Sequence, residues 1–356
     1  MYAAWTVSGA GDQARADSML RLLAPRRESL APFDRALLDF LVAAHRRDRT
    51  ASYTAALAVA EIAPQSEIAA VELPFAAMAI NRPYRAREIL EHADPTRGAL
   101  LRDNSGYWNA YEHALHMTGD YERQLAVARA LRQRDPSERA ALSYETRALA
   151  ALGRTAELTR VLEQAIAFPV DPLWGAPGLR YYIVASDELR AHGHAAAADS
   201  LLVRAVQVYS DAPDDVRRIP KQRFEMARAL YRLDRLGEAK SIFESLVMTD
   251  ALQPLGDYAI QAHAHLGFIA ARIGDTTTAL AVDRWLTDLH DPYLLGQNTE
   301  LRGALHALLG HRDEAVRLLH QAVGEGRFFD VGKHVYFEYQ GLRGYAPFEE
   351  WLAPKG

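Results

Sequence analysis

The chain of 356 residues contains no cysteine. Disulfide bonds and thiolate metal sites are therefore excluded, and the composition fits a reducing cytosol without ruling out a periplasm. The sequence also lacks an apolar run of about 18 residues, which a transmembrane helix needs. Its start, Met1-Tyr2-Ala3-Ala4-Trp5, has no charged leader followed by an apolar core. We expect a cytoplasmic protein, or a periplasmic one if a longer parent chain supplies an upstream membrane span.

Motifs for catalysis and nucleotide binding are absent as well. The sequence has no Gly-x-Ser-x-Gly, no phosphate-binding loop, and neither of the two catalytic loops that mark a kinase. The stretch from Gly9 to Ala14 matches a dinucleotide fingerprint, but no strand precedes it. The net charge of −5 and the lack of a long basic run argue against direct binding of nucleic acid. We therefore predict a non-enzymatic protein without a cofactor.

What the sequence does contain is a repeated helical pattern. Hydrophobic residues make up 49% of the chain, and no window alternates convincingly as a strand. The dipeptides Gly119-Asp120, Gly153-Arg154 and Gly274-Asp275 each lie between two helical patterns, and the first two are 34 residues apart. Such a period is typical of helical-repeat proteins, which stack helix pairs into a solenoid. The prediction is an all-α chain.

The unit from Ser105 to Glu138 resembles the tetratricopeptide repeat (TPR). An aromatic residue in the first helix, a glycine and a tyrosine at the turn, and a proline after the second helix carry the resemblance: Trp108, Gly119, Tyr121 and Pro136. The resemblance implies a right-handed α–α superhelical solenoid of TPR-like helix pairs. Such a solenoid is a scaffold for binding proteins, and its concave groove receives a peptide or a partner segment.

Further units can be traced on both sides, so that eight complete units and one broken unit cover nearly the whole chain. Two prolines and two glycines after Asp171 interrupt the pattern, which makes this insertion the best candidate hinge. The region before the first complete unit is too short for a whole helix pair, so the chain begins inside a longer parent, with a stub, or with a frayed end. The predicted segments are 1–32 (partial repeat), 33–168 (repeats), 169–178 (insertion), 179–325 (repeats) and 326–356 (C-terminal cap).

A second resemblance concerns the C-terminal segment and two segments upstream of it. The segments Pro32-Phe33-Asp34-Arg35, Asp94-Pro95-Thr96-Arg97-Gly98, Arg327-Phe328-Phe329-Asp330 and Gly341 to Leu352 are similar to the TPR regions that follow kinase or winged-helix regulator domains in bacteria. This similarity implies a signalling role, in which the chain is the sensor or docking region of a larger regulatory protein.

In TPR proteins, fixed positions of each first helix form the groove. Transferred to this sequence, the resemblance implies a ligand groove made of Asn109, His113, His116, Arg147, Ile183, Asp187, Arg190, Lys221, Phe224, Arg228, Tyr231, Arg232, Phe268 and Arg272. Arginine and lysine outnumber acids there although the chain is acidic overall, so we expect an acidic partner. We expect Lys221, Arg228 and Arg232 to face the groove and to bind the acidic partner. Phe224 and Tyr231 are expected to serve as apolar anchors. The alternative is that these cations pair with acids on adjacent helices.

The histidines allow one other function. His113 and His116 are three apart on a helical face, a spacing that a metal-binding or hydrolytic site could use, but the sequence assigns no third ligand. We therefore interpret both as polar groove residues and predict no metal site. The pairs His192 with His194 and His263 with His265 are two apart and diverge on a helix, which favours turn or surface positions.

Overall fold

The computed structural model describes residues 13–95, 105–135, 139–167, 178–253, 256–291 and 294–356. Within these ranges all regular secondary structure is helical, which confirms the predicted all-α class. Several parts of the sequence-based interpretation lie outside the described residues: residues 1–12, which include most of the dinucleotide-like motif, residues 96–98 of the segment that begins at Asp94, Pro136, and residues 169–177 of the insertion. Among the described residues, no helix combines the length and the apolar character that crossing a bilayer requires.

In the described residues, eight helix pairs follow α1 (Gln13–Leu23), and each pair is joined by a short turn. The pairs are α2 Pro32–His45 with α3 Arg49–Ile62, α4 Glu67–Ala79 with α5 Pro83–His92, α6 Ser105–Met117 with α7 Tyr121–Arg134, α8 Arg139–Ala151 with α9 Thr155–Ile166, α10 Gly178–Ala191 with α11 Ala195–Asp211, α13 Pro220–Arg232 with α14 Leu236–Met248, α15 Asp257–Arg272 with α16 Thr276–Thr287, and α17 Gln297–Leu308 with α18 Arg312–Gly324. Short helices outside the pairs are α12 Asp214–Arg218, α19 Gly332–Val335 and α20 Ala346–Leu352.

Every turn within a pair contains one residue with a positive φ angle. Glycine occupies five of these turns, at Gly119, Gly153, Gly193, Gly274 and Gly310, whereas Arg47, Asn81 and Asp234 occupy the other three. A left-handed residue at this place ends the first helix and lets its last carbonyl groups find partners. An aspartate then caps the second helix in three pairs: Asp48, Asp120 and Asp275 accept a hydrogen bond from the backbone N–H three residues on.

Small residues allow the two helices of a pair to approach closely. Five residues after the turn, Ala198, Ala239, Ala279 and Ala315 are completely buried. Seven residues before the turn, a Cβ atom at Gly267 would run into the side chain of Val282. The first helices also pack on those of neighbouring pairs, as α8 does on α10 and α15 on α17. The result is a superhelical solenoid of TPR-like pairs whose inner wall consists of first helices.

The C-terminal strap, residues 326–356, joins the two ends of the solenoid. The Arg49 guanidinium donates to the carbonyl of Gly326 at 2.8 Å, and the Lys355 N–H donates to the carbonyl of Asn81 at 2.8 Å. Between these points two short helices of the strap pack on the solenoid. Helix α19 contacts α10, and helix α20 contacts α18. The sequence predicts an open concave wall with a cap on the last pair only. The structure differs because apolar strap residues such as Phe329 and Leu342 are buried in the main core.

Candidate functional site

An inner groove of about 620 Å³ lies between the first helices α6, α8, α10, α13 and α15 on one side and the strap on the other. Its floor and walls combine aromatic, amide and charged side chains. Six residues of the predicted ligand groove line it: Asn109, His113, Arg147, Asp187, Lys221 and Arg228. The structure therefore brings together side chains from α6, α8, α10 and α13 that are far apart in the sequence.

Positive side chains outnumber negative ones around this inner groove. The lysine and arginine residues that line it are Arg139, Arg147, Arg180, Lys221 and Arg228, and the acids are Asp187, Glu225 and Asp330. Arg139 and Arg180 are exposed to solvent, whereas Lys221 is buried. The excess of positive charge is reduced, but not cancelled, by these acids, of which only Asp187 belongs to the predicted groove.

Glu225 neutralises part of the cationic stretch of α13. Its carboxylate accepts hydrogen bonds from Lys221 and, at 2.9 Å, from Arg228. Burial raises the pKa of Glu225, but the charges of Lys221 and Arg228 outweigh this effect and lower the pKa to about 2. The acid therefore stays ionised at neutral pH, and Lys221 forms its ion pair within its own helix.

Asp330 brings an acid of the strap into the groove. Burial raises the pKa of this carboxyl, while the positive charges of Lys333 and, beyond it, Arg327 and Arg147 lower it, and the lowering prevails. His113 contributes in the same direction, although burial lowers the pKa of this imidazole. The wall of the groove thus already stabilises one carboxylate that the chain itself provides.

Arg232 does not face the groove as expected. Its guanidinium donates to both carboxylate oxygens of Asp187, at 2.7 and 2.8 Å, and the residue is only 4% exposed. The pair joins α13 to α10, and it is the pairing with an adjacent helix that the sequence analysis kept as the alternative. Since the charge of Arg232 is used inside the protein, this residue cannot bind a partner without losing a buried ion pair.

The three aromatic residues of the predicted groove, which include both predicted anchors, belong to the core. Phe224, Tyr231 and Phe268 are buried, with exposed fractions of 0%, 0% and 2%. All three surround His265, whose ring centroid lies 5.2 to 5.8 Å from theirs. His265 is therefore not at the surface as predicted, and burial lowers its pKa to about 3. These side chains hold α13 and α15 together and offer no surface to a ligand.

Arg190 and Arg272 are occupied by protein groups too. Arg190 pairs with Asp199, and Arg272 donates to Asp234 at 2.9 Å. Both guanidinium groups also lie over the ring of Phe337, at 5.6 and 5.3 Å from its centroid, as does that of Arg232 at 5.4 Å. A phenylalanine of the strap thus covers the part of the wall where the sequence predicted arginines open to a ligand.

His113 and His116 have different partners. Nε2 of His113 lies 3.4 Å from Oε2 of Glu112, whereas Nε2 of His116 lies 3.3 Å from Oε2 of Glu188 on α10. Nδ1 of His116 lies 3.0 Å from the amide oxygen of Gln124, and the Gln124 amide donates to Glu112. The spacing of three residues on α6 therefore does not create a shared two-histidine site, and His116 lies behind the groove.

His192 is half-buried beside the same carboxylate. Its Nε2 is 3.8 Å from Oε2 of Glu188, and its ring meets Tyr121 edge to face with centroids 5.0 Å apart. His192 thus lies in the turn after α10, as predicted, but its ring contacts Glu188 and Tyr121. We refer to Glu112, His116, Gln124, Glu188 and His192 as the buried polar cluster.

A signal for this cluster exists in the sequence, but the analysis did not use it. Counted from the turn glycine, Glu112 occupies the position of Gly267 and Gly303, and Gln124 occupies the position of Ala279 and Ala315. The third pair therefore has two polar residues where the seventh and eighth pairs have the small residues of the helix crossing. Both are completely buried and hydrogen-bonded to each other. A polar pair at two small positions is a departure from the repeat that indicates a special role.

No protein-family model matches this chain, and no curated protein sequence is significantly similar to it. Among solved structures, it is similar to a chain of the human IFIT1 dimer with m7Gppp-AAAA. The similarity covers 90% of this chain and 80% of that chain, with 13% sequence identity and a TM-score of 0.40. At this identity the residues of the two chains cannot be matched one by one.

Proposed function

We propose that this chain is a non-enzymatic protein-interaction scaffold whose inner groove binds an acidic segment of a partner protein. The observation that carries the proposal is the charge of the groove, where five lysine and arginine residues stand against three acids in a chain with a net charge of −5. Local charge opposite to the global charge steers and orients a partner of complementary charge. One N–H group of Arg147, at Nη1, is buried without a hydrogen-bond partner, which favours a ligand that accepts hydrogen bonds.

The strap supports the same proposal from within the chain. Asp330 supports an acidic ligand, since the charges of Lys333, Arg327 and Arg147 lower the pKa of its carboxyl group beside this groove. An acidic side chain of a partner would meet Arg139 and Arg180, the exposed cations at the other side of the same groove. We therefore expect the partner to bind between these arginines and the strap.

Charge reversal at the exposed arginines tests the proposal. The probe is a fluorescein-labelled peptide of alternating glutamate and leucine, and its binding is measured by fluorescence anisotropy at about 0.1 M salt. Arg139→Glu combined with Arg180→Glu should weaken binding by at least about tenfold, since contacts with charged groups contribute about 1.5 to 3 kcal/mol each. The matched control is Arg160→Glu with Arg284→Glu, which makes the same charge change on the second helices α9 and α16, outside the groove.

The outcome separates three cases. If only the Arg139 and Arg180 variant loses the peptide, the groove is the binding site. Equal loss in both double variants would mean that the peptide senses net charge, which contradicts a specific site. A lysine-for-glutamate peptide or a single-stranded RNA that binds the wild type more tightly than the acidic peptide would refute an acidic protein partner.

We further propose that the scaffold is cytoplasmic and serves as the sensor or docking region of a larger bacterial signalling protein. This part rests on the resemblance of the C-terminal segment and two upstream segments to TPR regions that follow kinase or winged-helix domains. The sequence of the parent gene upstream of Met1 tests it. An in-frame kinase or winged-helix domain would support the proposal, and an in-frame stop codon directly upstream would contradict it.

A further inference from the structure

The buried polar cluster places three metal-binding side chains around one point. Glu188 lies in the last turn of α10, His192 follows directly after the end of that helix, and His116 reaches them from the last turn of α6. Nε2 of His116 and Nε2 of His192 lie 3.3 and 3.8 Å from Oε2 of Glu188. All three atoms are within 4.8 Å of one another. Two imidazoles and a carboxylate are a common ligand set for zinc and related transition metals.

Glu188 is an unusual carboxylate for a position inside a solenoid. Its side chain is completely buried, and neither oxygen accepts a hydrogen bond. Arg147 approaches Oε1 to 3.5 Å but is not within hydrogen-bonding geometry. A buried carboxylate without hydrogen bonds is costly unless a cation compensates its charge. Arg147 forms an ion pair at Oε1, whereas Oε2 lies beside the imidazoles of His116 and His192. A positive ion between these imidazoles would compensate the carboxylate at Oε2.

The hydrogen-bond chain on the other side of His116 fixes the orientation of its ring. The Gln124 amide nitrogen donates to Glu112, so the amide oxygen faces Nδ1 of His116, at 3.0 Å. Nδ1 must then carry the proton, which leaves Nε2 directed at Glu188. In the neutral imidazole this places a lone pair against a carboxylate oxygen at 3.3 Å. Metal-binding histidines are commonly oriented in this way by an acceptor on the second ring nitrogen.

We propose that His116, Glu188 and His192 bind a divalent transition metal such as Zn²⁺ through Nε2, Oε2 and Nε2. Ligand atoms at about 2.0 to 2.2 Å from zinc lie about 3.4 Å from one another in a tetrahedron. The separations of 3.3 and 3.8 Å are close to this value, so small side-chain movements complete the geometry. The metal would connect the third helix pair to the fifth and compensate the charge of Glu188.

Metal binding to the purified, tag-free chain tests the proposal. After removal of metal with a chelator, Zn²⁺ is titrated by calorimetry, and Co²⁺ is added to record its visible absorption. We expect one Zn²⁺ per chain, and intense Co²⁺ bands typical of four-coordination. His192→Ala and Glu188→Gln should each weaken binding by at least about tenfold, since each removes a ligand.

Two controls separate this site from adventitious binding. His194→Ala removes an exposed imidazole two residues from His192 and should leave binding unchanged. The double variant His306→Ala and His311→Ala removes a second histidine pair, whose Nδ1 atoms are 3.1 Å apart, and should also bind one Zn²⁺ as the wild type does.

Three results would overturn the proposal. They are the lack of stoichiometric binding by the wild type, unchanged binding by folded His192→Ala, and loss of binding in the His306 and His311 variant alone. Circular dichroism establishes that each variant is folded. Should Glu188→Gln unfold because it alters a buried charge, the half-buried His192 still provides the decisive comparison.

Discussion

Asn81 fastens the C-terminal end of the strap to the second helix pair, and we predict that Asn81→Gly loosens α20. The Asn81 side chain is 2% exposed, and its Nδ2 group lies 3.2, 3.3 and 3.0 Å from the carbonyl oxygens of Trp351, Leu352 and Ala353. These carbonyl groups lie at the C-terminal end of a short helix, where the helix itself provides no hydrogen-bond donors for them. The backbone of Asn81 is left-handed, with φ at 60°.

The expected loss can be worked out from these contacts. One amide group has two hydrogens to share among three carbonyls, so we count two hydrogen bonds of about 0.5 to 1.5 kcal/mol each. Glycine adopts the left-handed conformation freely, so Asn81→Gly should cost about 1 to 3 kcal/mol through the lost bonds alone. Asn81→Ala loses the same bonds and adds about 1 to 2 kcal/mol of backbone strain.

Hydrogen exchange of the backbone amides of α20 measures this loss directly. If the lost free energy lowers the cost of locally opening α20, exchange should accelerate by about five- to 150-fold in Asn81→Gly, which is the equivalent of about 1 to 3 kcal/mol. Wild-type exchange in α20 of this variant would show that the three contacts do not hold the strap. An Asn81→Ala variant no less stable than Asn81→Gly would contradict the left-handed backbone.

Two further predictions concern stability. Burial raises the pKa of Glu72 from 4.5 to about 7, so the folded state holds a proton that the unfolded chain releases, and stability should fall as the pH rises between these two values. Glu72→Gln should abolish this fall, as measured by urea midpoints across that range; an unchanged slope would refute the assignment. Gly296 and Gly310 both have a positive φ, but only at Gly296 would an added Cβ meet a backbone atom, the carbonyl oxygen of Ala322. Gly296→Ala should therefore be at least about 1 kcal/mol more destabilising than Gly310→Ala in thermal melts, and equal losses would argue against that contact.

The helical-repeat fold could be predicted because its signals are local. Gly119, Gly153 and Gly274 take the left-handed conformation that ends a first helix, and a small residue follows at a fixed distance in most pairs. The turns at Arg47 and Asp234 have no glycine but adopt the same conformation. The position within the period is therefore a stronger signal of the turn than the identity of any single turn residue.

The interior could not be predicted in the same way because it depends on contacts between distant residues. Arg232 meets Asp187 across 45 positions of sequence, and the strap reaches Asn81 from the far end of the chain. Transfer of groove positions from TPR proteins assumes an inner wall open to solvent. Here the wall is partly covered by Phe337 of the strap and by acids that compensate its arginines, so only some of the transferred positions still line a groove.

Arg147 connects the two proposed sites. It lines the inner groove, and its Nε lies 3.5 Å from Oε1 of Glu188 in the buried polar cluster. A divalent ion bound by Glu188 would compensate that carboxylate and leave the charge of Arg147 to the groove, where it raises the attraction for an acidic segment. By thermodynamic linkage the acidic segment must then strengthen metal binding by the same factor. We therefore expect Zn²⁺ to tighten binding of the acidic peptide in the wild type but not in His192→Ala. Wild-type peptide affinities that are equal with and without Zn²⁺ would contradict this coupling between the two sites.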